Sequence, residues 1–191
     1  QVVFTNKAQC RDCYRCVRVC PVKAIRMHDG QANVVEDRCI GCGTCVRECP
    51  QRAKSFRNDV DRTARLFAPG VMVAASLAPS FAGVFPKWQQ RRLASGLRRL
   101  GFGYVAETAI GAYYVARQTA ALVKGHPGST CICTSCPAVV RYVERYRPNL
   151  LPSLAPVVSP MLAHAKHIRE RSGENVRIVF IGPCVAKKFE A

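Results

Sequence analysis

A cysteine-rich run that occurs twice constrains this chain more than any other feature. Cys10-Arg-Asp-Cys13-Tyr-Arg-Cys16-Val-Arg-Val-Cys20-Pro21 returns 29 residues later as Cys39-Ile-Gly-Cys42-Gly-Thr-Cys45-Val-Arg-Glu-Cys49-Pro50. An alanine follows each proline at the same distance, Ala24 and Ala53. Of the chain's 12 cysteines, 8 lie in the repeat and the other 4 fall between Cys131 and Cys184. Disulfide scaffolds rarely repeat one tight spacing, whereas metal sites require it. A reduced, metal-loaded protein follows.

The spacing C-x2-C-x2-C-x3-C-P, present twice, is the run of bacterial ferredoxins that hold two [4Fe–4S] clusters. Three thiolates at i, i+3 and i+6 on a tight turn reach three irons of one cubane. The fourth, held by a proline, points toward the other cluster. Cys10, Cys13, Cys16 and Cys49 are therefore expected to hold one cluster, and Cys39, Cys42, Cys45 and Cys20 the other. Tetrahedral thiolate sites also suit zinc, but zinc leaves the C-x3-C-P tails without a reason. Gly41 and Gly43 would let backbone N–H groups approach the sulfurs and tune the potential.

Beyond a polar stretch from Ser55 to Arg65, read as a linker or connecting helix, the pattern becomes alternating strands and helices. Strands are predicted at Val71–Leu77, Tyr104–Thr108, Thr130–Thr134 and Val176–Ile181. Helices are predicted at Lys87–Leu100, Ala112–Val123, from Pro137 to before Pro148, and at Met161–Arg171. The nearly unbroken apolar run Val176–Ile181 asks for a sheet covered on both faces, and the alternation implies a mainly parallel one. Ligands of such sheets sit beyond the C-terminal strand ends. That rule singles out Ala78-Pro79-Ser80, Ser135-Cys136-Pro137 and Gly182-Pro183-Cys184.

The same segments carry a resemblance. Cys133-Thr134-Ser135-Cys136-Pro137-Ala138-Val139 is similar to the T-S-C-C-P-x-W signature of the [FeFe]-hydrogenase large subunit. Gly182-Pro183-Cys184-Val185-Ala186-Lys187-Lys188-Phe189-Glu190 resembles its M-P-C-x-x-K-x-E signature, and Glu107-Thr108-Ala109-Ile110-Gly111-Ala112 its D-T-x-F-G-A stretch. Ala78-Pro79-Ser80 also matches, and a ferredoxin-type domain ahead of this domain is a family arrangement. The resemblance implies an H-cluster in the intact protein, a [4Fe–4S] cubane joined to a di-iron unit bearing CO and cyanide. Cys136 and Cys184 would be two of the cubane's ligands. Lys187 and Ser80 would donate to the cyanides, and Ala78, Pro79 and Pro183 would line the cofactor. The plainer readings are that Cys136 and Cys184 are buried free cysteines and Lys187 a solvated lysine. Cys131 and Cys133, alternating on one face of a strand, are read as small core residues.

The departures from the family pattern bear on rate. Ser135 stands where active relatives carry a proton-relaying cysteine, and a serine hydroxyl is far less acidic than a thiol near ~8.5. The helix after Gly111-Ala112 lacks a carboxylate, and Gly182 replaces the methionine that opens the second signature. A kept site with a degraded proton route resembles the sensory-type, low-activity hydrogenases. The rivals are a pure electron-transfer iron–sulfur module without a di-iron unit, and a fully active ferredoxin-linked hydrogenase.

Taken together, the expected fold is an α+β ferredoxin-like domain over residues 1–58, a linker over 59–65, and an α/β domain with a mainly parallel sheet over 66–191. The last is read as an incomplete hydrogenase-like domain in a truncated chain. The formal net charge of +17 is lowered by clusters that each carry about two negative charges once their thiols are deprotonated. The surplus fits an arginine-rich surface or a docking face for an acidic redox partner. Scattered cations without aromatic interleaving give no nucleic-acid reading. The longest apolar run, Val71–Ala78, is too short for a membrane span. A cytoplasmic location is expected, with hydrogen and protons as substrates and a redox protein or a downstream signalling domain as partner.

Overall fold

A computed structural model describes all 191 residues. The chain divides into two compact units: residues 1–58 with 136–152 and 184–191, and residues 59–135 with 153–183. No helix is long and apolar enough to cross a membrane.

The first unit begins with β1 (Val3–Thr5), α1 (Arg15–Val19), β2 (Ile25–His28), β3 (Gln31–Val34), α2 (Thr44–Arg47) and β4 (Lys54–Phe56). β1 pairs antiparallel with β4, and β2 with β3. Only Val2–Thr5 and Ala32–Val35 read as β-prone in the sequence. β4 falls at the start of the polar stretch taken as a linker, because pairing with β1 rather than local propensity makes it a strand.

The sequence repeat is also a backbone repeat. Asp12, Tyr14 and Lys23 have φ of 54°, 56° and 50°, and 29 residues on Gly41, Gly43 and Arg52 have 72°, 76° and 52°. The Ala24 amide donates to Cys20 Sγ at 3.2 Å, and the Ala53 amide to Cys49 Sγ at 3.2 Å. Cys16, Cys20, Val22, Ala24, Ile25, Ala32 and Ile40 form the buried core of this unit.

The second unit opens with α3 (Val60–Ala64) and β5 (Val73–Leu77), then α4 (Phe81–Val84), α5 (Lys87–Arg99), β6 (Tyr104–Glu107) and α6 (Ala109–Gly125). α7 (Pro137–Tyr146) returns to the first unit, and α8 (Pro160–Ser172) and β7 (Arg177–Ile181) complete the second. The sheet is parallel throughout, in the order β6-β5-β7. Every residue of the central strand β5 is buried. One face packs Val73 and Ala75 with Leu97 of α5 and Phe102, and the other packs Ala74 with Ile168 of α8 and Val176. The second unit is thus an α/β domain with a covered parallel sheet, and the first is an α+β unit.

The strand expected at Thr130–Thr134 does not form. Ile132 makes one isolated parallel bridge to Leu154, and Cys131 and Cys133 are exposed rather than core residues. Ile132 alone finds a bridge partner and the flanking Cys131 and Cys133 stay exposed, so no second face is buried. Gly111 lies where α6 meets α8. A Cβ there would come within 2.1 Å of the Pro160 carbonyl and 2.8 Å of His164 Cβ, so only glycine allows the contact.

Candidate metal centres

The eight cysteines of the repeat stand around two cavities in the first unit. Cys10, Cys13, Cys16 and Cys49 line the first. Cys20, Cys39, Cys42 and Cys45 line the second. Each cavity thus draws three cysteines from one run and the last cysteine of the other. No three His, Cys, Asp or Glu side chains gather tightly enough for a single metal ion. The local cause is the pair of left-handed residues in each run, which curls the first two cysteines toward the third, carried in the first turn of α1 or α2.

Electrostatics differ among the thiols. Burial pushes Cys16 and Cys39 up, and drives Cys45 to about 11. Backbone hydrogen bonds from Ala32 and Asp12 hold Cys10 below the usual thiol value. In addition, the Gly41 amide donates to Cys39 Sγ at 3.4 Å. Four thiols around each cavity are the soft donor set that a [4Fe–4S] cluster takes, so the residues present fit iron–sulfur binding.

The second cysteine loop is also held from outside the repeat, within the same unit. A Cβ on Gly41 would lie 2.5 Å from the Phe189 ring, and Arg141 of α7 stacks on that ring at 3.9 Å. Tyr146 donates to the Arg38 carbonyl at 2.7 Å, and Arg145 to those of Glu36 and Cys39 at 3.1 and 3.2 Å. Phe189, Arg141 and Tyr146 gave no signal in the sequence.

The later candidate residues divide between the units. Cys136, the residue ahead of α7, and Cys184, ahead of the 3-10 turn Val185–Phe189, belong to the first unit, and both thiols are exposed. Lys187 is only 14% exposed and lies 3.6 Å from Glu190, so the solvated-lysine reading does not hold. Ala78, Pro79, Ser80, Ser135 and Pro183 belong to the second unit. Ser80 precedes α4, and the Ala78 amide donates to the Ile181 carbonyl at 2.9 Å, which brings the ends of β5 and β7 together. A Cβ on Gly182 would come within 2.8 Å of Ala78 Cβ and the Phe180 ring, which accounts for glycine in place of methionine. Ser135 Oγ lies 3.1 Å from Cys133 Sγ, and this contact lowers the Cys133 thiol.

Residues 71–191 match the family described as iron only hydrogenase large subunit, C-terminal domain. Residues 2–50 match the 4Fe-4S dicluster domain. Among solved structures, a variant of [FeFe]-hydrogenase HydA1 from Chlamydomonas reinhardtii superposes with a TM-score of 0.58 at 24% identity. A structure concerned with oxygen inactivation of [FeFe]-hydrogenase gives 0.56 at 24% identity. One concerned with stepwise H-cluster assembly in HydA(deltaEFG) gives 0.53 at 24% identity. Each alignment covers 71% of this chain and 40% of the other, so the chain spans about two fifths of those proteins. At that identity the likeness is one of fold.

Proposed function

This chain belongs to the iron-only hydrogenase large-subunit family, and we propose that it passes electrons through two [4Fe–4S] clusters toward an H-cluster-type site in the intact protein. The observation that carries this reading is the pair of cavities, each lined by four cysteines in crossed arrangement. Residues 1–58 are the ferredoxin domain, 59–65 the linker and 66–191 the hydrogenase-like part. Bound clusters would supply one-electron transfer, and an H-cluster would supply hydrogen oxidation or evolution.

The chain's own groups perform the remaining tasks. Cys10, Cys13, Cys16 and Cys49 hold one cluster, and Cys39, Cys42, Cys45 and Cys20 the other. Cys136 and Cys184 supply two thiolates to the cubane of the H-cluster-type site. Lys187, whose ammonium faces Glu190 at 3.6 Å, provides a half-buried cation for an anionic ligand. Ser80 serves as a further hydroxyl donor there. α7 and Val185–Phe189, which follow Cys136 and Cys184, rest on the loop that carries Cys39 and Cys42. Ser135 in place of a thiol, with a carboxylate-free α6, makes proton delivery slow, so the parent protein senses hydrogen or turns it over sluggishly.

Iron analysis of the anaerobically reconstituted chain tests the ligand assignment. It should give about eight irons, as for a two-cluster ferredoxin. Cys20→Ala should remove the cluster whose other ligands are Cys39, Cys42 and Cys45. Wild-type iron near four per chain, or loss of the cluster held by Cys10, Cys13 and Cys16 in that variant, would overturn it.

A further inference from the structure

One buried charge lies beside these cavities without a partner of opposite sign. Lys54 is 4% exposed. Its ammonium donates to Thr5 Oγ1 at 2.5 Å and to the Ala32 carbonyl at 3.0 Å, both neutral acceptors. No carboxylate pairs with it. Burying an ammonium against neutral groups alone is costly. The cost falls if an anion occupies the cavity that Lys54 lines, the one walled by Cys10, Cys13, Cys16 and Cys49. At the matching place in the repeat, 29 residues earlier, stands Ile25, which is 5% exposed and lines the other cavity. The repeat is thus broken at one buried position by one charge.

Resting on the two-cluster reading above, we propose that Lys54 is a built-in counter-charge that raises the reduction potential of the cluster held by Cys10, Cys13, Cys16 and Cys49. A cluster with four thiolates is already anionic and gains one more negative charge on reduction. A fixed cation in a low-dielectric wall therefore stabilises the reduced form more than the oxidised form. Lys54 lines only the first cavity, so a smaller effect reaches the second cluster. On the second site's side the neighbouring cation is Arg141 of α7, stacked on the Phe189 ring that packs against Gly41. The informative quantity is consequently the shift of each cluster on changing Lys54, not the gap between the two clusters. Lys54 is a positioning residue for charge and ligates no iron.

The test is a dithionite titration of the reconstituted 191-residue chain, followed by EPR, for wild type, Lys54→Met, Lys54→Gln and Lys54→Arg. Iron analysis accompanies each protein. With about eight irons retained, both neutral variants should lower the midpoint of the Cys10-Cys13-Cys16-Cys49 cluster. The other cluster should move less, and Lys54→Arg should stay near wild type. Unchanged midpoints in a neutral variant holding both clusters would overturn the proposal and leave the two-cluster reading intact. If both neutral variants lose that cluster while Lys54→Arg keeps it, the counter-charge role stands in a stronger form, as a condition of assembly. Loss in all three variants would mean that lysine's shape matters rather than its charge, and would also overturn it. Wild type with four irons would instead fail the underlying two-cluster reading.

Discussion

Positive φ is required at positions 12 and 14 of the first run and at 41 and 43 of the second, yet only the second run uses glycine. At Gly41 the reason is the Phe189 ring, which leaves no room for a Cβ. Gly30 offers a control, since it has φ of 68° with nothing within 4 Å of an added Cβ. Gly30→Ala should cost only the left-handed penalty of ~1–2 kcal/mol, whereas Gly41→Ala should add an overpacking cost of ~1–3 kcal/mol. Denaturant titration together with the rate of cluster loss checks this, and equal costs would show that Phe189 does not constrain the loop. Ser135 leads to a second expectation at this scale, for the matured parent protein. Hydrogen evolution with a reduced dye should lie orders of magnitude below that of catalytic relatives. A relay step contributes typically ~10²–10⁴-fold, and Ser135→Cys should recover part of it, because α6 still lacks a carboxylate. Fast wild-type turnover unaffected by the substitution would exclude the slow reading.

At the scale of elements, the contact of α8 with the sheet contains a polar knot. Ser76 of β5 meets His164 Nδ1 at 2.7 Å and Thr108 Oγ1 at 2.9 Å, and His164 is fully buried with Nε2 lacking a hydrogen-bond partner. Burial, with a smaller contribution from neighbouring His167, holds the imidazole below its ordinary value, so the folded state keeps it neutral. The unfolded chain binds that proton near pH ~6.5. Stability of this unit is therefore complete above that pH and falls as pH drops through it, because only the unfolded state takes up the proton at first. Urea midpoints should decrease from pH 7.5 to 5.5, and His164→Gln should flatten that slope. An unchanged slope in the variant would assign the acid sensitivity to other groups.

For the whole molecule the dominant quantity is charge. A net +17 from 29 basic and 12 acidic residues leaves a cationic protein even after anionic clusters are bound. Exposed α5 contributes Lys87, Arg91, Arg92, Arg98 and Arg99 with no acidic residue among its 13. Association with an acidic electron donor should be steered by this field and should slow as salt shortens the Debye length to ~10 Å at 0.1 M. Stopped-flow reduction by an acidic ferredoxin at rising ionic strength measures it. A rate independent of salt would remove electrostatic steering from the account.

The parts legible from the sequence were those set by local spacing. Cysteines at i, i+3 and i+6 on one turn need no tertiary partner to face a common cavity, and the 29-residue period already announced two such turns. Likewise, the apolar run Val71–Leu77 declares a covered parallel strand, and β5 is buried throughout. Val176–Ile181, read the same way, yields instead the edge strand β7, with Arg177 exposed and its other residues half-buried. Other features depended on residues far away in the chain. β4 exists through its pairing with β1, and Thr130–Thr134 fails as a strand because only Ile132 finds a bridge partner. Gly41, Gly111 and Gly182 are dictated by Phe189, Pro160 and Ala78, neighbours that no local pattern reveals. Lys54 lies between these cases: the repeat exposes it as the odd residue opposite Ile25, but only the folded unit places its charge in the wall of a cysteine-lined cavity. Local geometry is written in spacing, whereas burial of a charge and the room left for a Cβ are properties of what packs against a residue, and the tertiary structure alone decides them.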